Sequence, residues 1–181
     1  MKRSDRDLWQ AACPLVVVAL LCLLFNLAAA FLYDRVTGGP SFMRLLTGDF
    51  DGPVLEAMRE AAGRNMLSRG LLLVMYAGFD AVLPIVLCLL FRRIALFEGM
   101  PRPLGSAVGG LLPVAYCLAD YAENLLSLAF FFRFPAAELD GNGIALLLVG
   151  LTRLKLLMFS LCCLSLALAL ALVTRHRAGR G

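Results

Sequence analysis

The sequence predicts an all-α membrane protein, a four-transmembrane-helix antiparallel bundle with a short amphipathic helix in the loop after its first span. Three observations carry that expectation. Of the 181 residues, 61% are hydrophobic and only 17% charged, with a mean hydropathy of +0.83, a composition incompatible with a water-facing surface. Four apolar stretches, residues 8–33, 70–94, 106–132 and 144–173, each reach the roughly 20 residues that a bilayer core demands. Little lies outside them, the longest remainder being the loop at 34–69, so residues 1–181 read as one domain.

The first stretch imitates a cleavable signal peptide, because Lys2 and Arg3 precede an apolar run that ends in Ala28, Ala29 and Ala30. The run is longer than a usual signal core, and Asp5 and Asp7 spoil its basic flank, so a retained span is expected. In the loop that follows, Asp51, Gly52 and Pro53 form a turn leading into a helix. Leu55, Met58, Ala62 and Met66 then share one stripe, while Glu56, Glu60 and Arg64 lie away from it. Two readings stand here: an interfacial helix over the outer mouth of the bundle, or a solvated helical connector.

Within the second stretch Asp80 precedes Pro84 by four residues. Proline has no amide to give, so the carbonyl of residue 80 loses its helical donor and a kink is expected beside the carboxylate. The third stretch carries Asp120, Glu123 and Asn124 at the three- and four-residue spacing that places side chains on one helix face. The fourth carries Thr152, Arg153 and Lys155. Arg153 and Lys155 are about 200° apart on an ideal helix, so only one can face the interior. Lys155 is the preferred inward cation, with Arg153 left to the bundle flank or to snorkel.

Basic residues accumulate on the cytoplasmic side of membrane proteins. With the N-terminus inside, Lys2, Arg3, Arg6, Arg92, Arg93, Arg102, Arg175, Arg177 and Arg180 fall on one side, and on the other the outer segments, where Arg35, Arg44, Arg59, Arg64, Arg69 and Arg133 are outnumbered by Asp34, Asp49, Asp51, Glu56, Glu60, Glu138 and Asp140. Both termini are expected in the cytoplasm of a multi-pass protein. Fifteen arginines against two lysines point to a GC-rich bacterial coding background, hence an inner-membrane location with the 34–69 loop periplasmic. The formal charge of +4 is accounted for by anionic lipid headgroups and calls for no nucleic-acid partner.

Six cysteines, Cys13, Cys22, Cys88, Cys117, Cys162 and Cys163, lie inside apolar runs without CxxC spacing, and read as small buried hydrophobes. The single histidine, His176, follows the last span, so no metal site is expected. No GxSxG, HExxH, Walker-type or GxGxxG pattern occurs, and no cofactor is implied.

What remains is a set of ionisable and amide groups at membrane depth. Such groups are costly there and usually mark a site. Counting about 1.5 Å per residue from the outer end of each span, Asp80, Asp120, Glu123, Arg153 and Lys155 lie roughly 14–18 Å down, with Asn26 at about 10 Å. The spans alternate in direction, so this match describes one polar layer near the midplane.

The order Gly63-Arg64, Asp80 with Pro84, Asp120-x-x-Glu123-Asn124 and Thr152-x-x-Lys155 resembles a bacterial family of small four-span integral membrane proteins. The resemblance implies that these positions belong together and implies no reaction. Membrane glutathione transferases also carry a Glu-Asn pair, but with several basic residues and an earlier helix that this chain lacks. The sterol-isomerase group shares only the architecture of acids around a midplane cavity.

Three functional readings follow. In the first, the layer lines an outward-opening cavity that binds, and in an enzyme alters, a lipid or other amphipathic small molecule. Asp120 or Glu123 would then handle a proton, Lys155 would stabilise an anion, and Asn124, Asp80, Thr152, Arg153 and Asn26 would hold the ligand. In the second, the same groups relay protons or ions in a small transporter or channel subunit. Four spans leave little room for that, although a homo-oligomer could compensate through Gly105-x-x-x-Gly109. In the third, the cluster is architectural and only fixes helix register. Three acids against two cations in the layer favour the first reading.

Overall fold

The computed structural model describes residues 3–95, 105–132 and 141–178, and every regular element among them is helical. Helix α1 runs Arg3–Thr37, followed by the short α2, Met43–Thr47, and by α3, Gly52–Arg64. Next come α4, Met66–Leu73, a π-helical segment Val74–Phe79, and α5, Asp80–Ala95. A second π-helical segment, Ala107–Leu111, leads into α6, Leu112–Phe132, and α7 closes the fold as Gly141–Ala178. The basic residues expected at Lys2, Arg102 and Arg180 lie outside the described residues.

Among the described residues three helices are long and apolar enough to cross a membrane: Ala12–Thr37, Met66–Ala95 and Asn142–Leu168. Helix α6 is not among them, because Asp120, Glu123 and Asn124 interrupt its apolar run. The helices meet at two levels. At one, Tyr76 stacks on Phe131 at 6.3 Å between ring centroids. At the other, a Cβ placed on Gly109 would lie 2.6 Å from the Cβ of Ala95, a backbone approach that only small residues permit. Gly109 is thus engaged inside the chain, against α5.

Local chemistry sets each boundary in the 34–69 region. The Asp34 carboxylate accepts from the Phe42 amide at 2.6 Å and from the Ser41 hydroxyl at 2.7 Å, tying the end of α1 to the start of α2. Gly48, at φ 68°, ends α2 in the left-handed conformation that glycine adopts without steric cost. Asp51 caps α3 by accepting from the Val54 amide at 3.0 Å, and Asn65 caps α4 by accepting from Leu67 at 2.9 Å. Each π-helical segment lies shortly before a proline, Pro84 or Pro113, and in each the amide that follows bonds five residues back, Asp80 to Met75 and Leu112 to Ala107.

The stripe of α3 is buried, not laid on a surface. Leu55 and Met58 are 0% exposed and Ala62 1%, and the Tyr33 hydroxyl donates to the Met58 carbonyl at 2.9 Å. Met66, expected in that stripe, falls on α4 and is exposed. The main core gathers beneath α3 from Tyr33, Phe42, Leu72, Met75, Phe131 and Leu148, whose close packing supplies the attraction that holds helices together in an apolar medium. A chain of ring contacts from Tyr33 through Phe42 and Tyr76 to Phe131 and Phe130 runs across it. Toward the other end the described residues hold a smaller cluster around Phe91 and Cys162. The larger cluster of buried side chains among the described residues lies at the α3 end.

Candidate functional site: a buried charge layer above an apolar cleft

Helical periodicity on α6 puts Asp120, Glu123 and Asn124 on one buried stripe, at 4%, 8% and 4% exposure. Facing them on α7 are Thr152, fully buried, and Lys155, one turn further on. The Lys155 ammonium lies 2.6 Å from Glu123 Oε2 and 3.2 Å from Asp120 Oδ1, so one cation bridges two carboxylates. The outer oxygen of each acid is held from its flank. Thr152 donates its hydroxyl to Glu123 Oε1 at 2.8 Å, and Asn124 donates its amide to Asp120 Oδ2 at 3.2 Å.

A second pair adjoins this group. The Asn26 amide of α1 donates to the Asp80 carboxylate at the start of α5, and Asp80 is within electrostatic reach of Asp120, Lys155 and Glu123. The layer thus draws one or more residues from each long helix. Arg153 is the exception among the expected site residues. It is exposed on the opposite side of α7 and makes no ion pair among the described residues, which leaves three acids and a single cation in the layer.

Three participants were not anticipated. Tyr121 donates to the Ala81 carbonyl at 2.6 Å, closing α6 onto the α5 backbone one residue beyond the carbonyl that Pro84 was expected to free. Tyr76 and Ser127 hydrogen-bond to each other just on the α3 side of the layer. Their spacing carried a signal: Tyr76 stands four residues before Asp80, and Ser127 four after Glu123, each on the face of its acid.

The side-chain oxygens of Asn26 and Asn124 are buried with no hydrogen-bond partner among the described residues. Glu123 Oε2 has the Lys155 ammonium alone. The layer is consequently rich in acceptors. Buried acceptors left unpaired cost about 1–3 kcal/mol each, which makes them sensitive to any donor that reaches them. No group of three or more His, Cys, Asp or Glu side chains among the described residues is arranged to hold a metal ion, and the cysteines are free thiols.

On the side of the layer away from α3 lies a cleft of about 350 Å³. Val16 and Leu20 of α1, Leu87 of α5 and Phe159 of α7 are among its walls, which are almost wholly aliphatic and aromatic. Among the described residues Tyr116 and Lys155 are the only polar side chains that line it. Its position differs from the sequence expectation of an opening toward the 34–69 loop. On that side α3 and the ring contacts fill the space, whereas on the far side leucines of adjacent helices leave a gap.

Such an arrangement can seat an apolar chain in the cleft and bring one polar group to the edge of a buried, charged layer. No protein-family model, curated protein or solved structure matches the chain.

Proposed function

We propose that this chain is a bacterial inner-membrane protein, a four-span antiparallel bundle with both termini in the cytoplasm, whose charge layer and cleft bind a lipid or other amphipathic small molecule. The observation that carries the reading is the cleft itself, an apolar space of about 350 Å³ that ends on Lys155, a member of the buried cluster. That volume is at the lower end of small-molecule sites, whose usual form is an apolar wall with a few convergent polar groups. Helix α6 supports the fourth span: it is 21 residues long, and its polar residues turn inward to partners on α7. The dense α3 end speaks against a path through the bundle, and so against the transporter reading.

In this reading Lys155 and Tyr116 meet the head of the ligand, while Asp120 and Glu123 hold Lys155 from behind. Should the bound molecule be transformed, Glu123 is the acid best placed to exchange a proton, because one oxygen is anchored by Thr152 and the other is shared only with the ammonium. Native mass spectrometry of the protein extracted from its own membrane tests the reading. The wild type is expected to carry a species of defined mass that is lost in folded Asp120→Asn and Lys155→Met variants. A wild type that carries nothing specific, with both variants failing to fold, would leave the cluster architectural.

A further inference from the structure

The proposed binding reading leaves the head of the ligand open, and the layer constrains it. Asp80, Asp120 and Glu123 share one cation, and that cation is already bridged to two of them. A fatty acid or a phosphate-headed lipid in the cleft would bring a further negative charge to this surplus, in a medium that screens charge poorly. The unpaired atoms point the same way. Asn26 and Asn124 each present a buried side-chain oxygen without a donor, and Asn124 is only 4% exposed. Meanwhile the ammonium has three protons and two carboxylate partners, so it retains one to give.

A head group complementary to this surface accepts one hydrogen bond and donates another without carrying negative charge. A hydroxyl does both. Resting on the binding reading above, we propose that the cleft takes a single-chain, long-chain alcohol, its hydrocarbon lying along Val16, Leu20, Leu87 and Phe159 and its hydroxyl at Lys155 and Tyr116. The hydroxyl accepts from the ammonium and donates to the Tyr116 oxygen, the other polar side-chain atom at the cleft. The space suits one chain: it is about 350 Å³, and between Val16 and Leu23 the α1 wall rises about 10 Å, enough for a short length of extended hydrocarbon.

The test is a native mass spectrometry titration of the full chain in maltoside micelles with four probes of equal chain length: 1-dodecanol, dodecanoate, dodecyl phosphate and dodecane. The alcohol is expected to bind at least about ten-fold more tightly than each of the others, a ratio worth about 1.4 kcal/mol. Asp80→Asn removes one negative charge from the layer and is expected to narrow the alcohol-to-dodecanoate ratio several-fold. Ala19→Trp fills the cleft from α1 and is expected to abolish specific binding.

Dodecanoate or dodecyl phosphate binding as tightly as the alcohol would overturn the head-group assignment while leaving a ligand cleft in place. Dodecane binding equally would show that no head is read at all, and overturn it too. Dodecanol binding that survives Ala19→Trp would place the alcohol elsewhere. Failure of all four probes would remove the cleft reading itself along with the inference built on it.

Discussion

Replacing Lys155 with methionine keeps most of the side-chain volume and removes the one charge that bridges α7 to α6. The ammonium sits 2.6 and 3.2 Å from its two carboxylate oxygens, with the lysine side chain 15% exposed and the acids 10% or less. At an effective dielectric of about 20, each contact is worth roughly 5 kcal/mol before desolvation, which returns several kcal/mol per ion. Stranding buried partners in a soluble protein costs about 3–5 kcal/mol, and polar contacts between membrane helices run nearer 1–2 kcal/mol. We therefore expect Lys155→Met to lose about 3 kcal/mol. The assay is reversible unfolding in mixed micelles, titrated with a denaturing detergent. The triple variant Asp120→Asn, Glu123→Gln, Lys155→Met has the same shape without charge, and is expected to recover at least half of the loss. A Lys155→Met penalty below about 0.5 kcal/mol, or a triple variant no more stable than the single one, would refute the argument, since either outcome means the contacts are not felt.

The other expectations use the same titration. Arg153→Leu, on the exposed side of α7, is expected to shift stability by no more than about 0.5 kcal/mol; a loss several times larger would mean that Arg153 has a buried partner. Met58→Ala, at a fully buried position on α3, is expected to cost about 2–4 kcal/mol, whereas a solvated connector would give almost nothing. Gly109→Ala drives a methyl group into Ala95 and is expected to cost about 1–3 kcal/mol. The loss should be largely relieved by adding Ala95→Gly, and an unrelieved loss would place the strain elsewhere.

Hydropathy revealed the long helices because their cores are simple apolar runs, and the α6 stripe was legible because Asp120, Glu123 and Asn124 repeat at helical spacing. The separation of Arg153 and Lys155 by about 200° implied that only one of them faces the interior but not which; Lys155 lies against the buried acids and Arg153 is exposed. Other features left no such trace. The stripe on α3 shows which residues seek burial but not what covers them, so its depth depends on Tyr33 and the α6 and α7 side chains that meet it. The cleft arises from a mismatch in side-chain volume between helices that are distant in sequence. Tyr121 was missed because its target is a backbone carbonyl, which no residue type marks.

The wide turn at Val74–Phe79 sets a phase. A π turn holds one residue more than the α turn it replaces, and one residue is worth about 100° of rotation on a helix. Before it Leu72, and at its start Met75, are locked under α3; after it, Asp80 meets Asn26 and Pro84 is buried. Wound as ordinary α-helix at its present length, the segment would swing α5 by more than a quarter turn and carry the Asp80 carboxylate away from Asn26. Loss of one residue at Ala77 or Gly78 would instead let the turn close as α-helix with Leu72 and Asp80 both still in place.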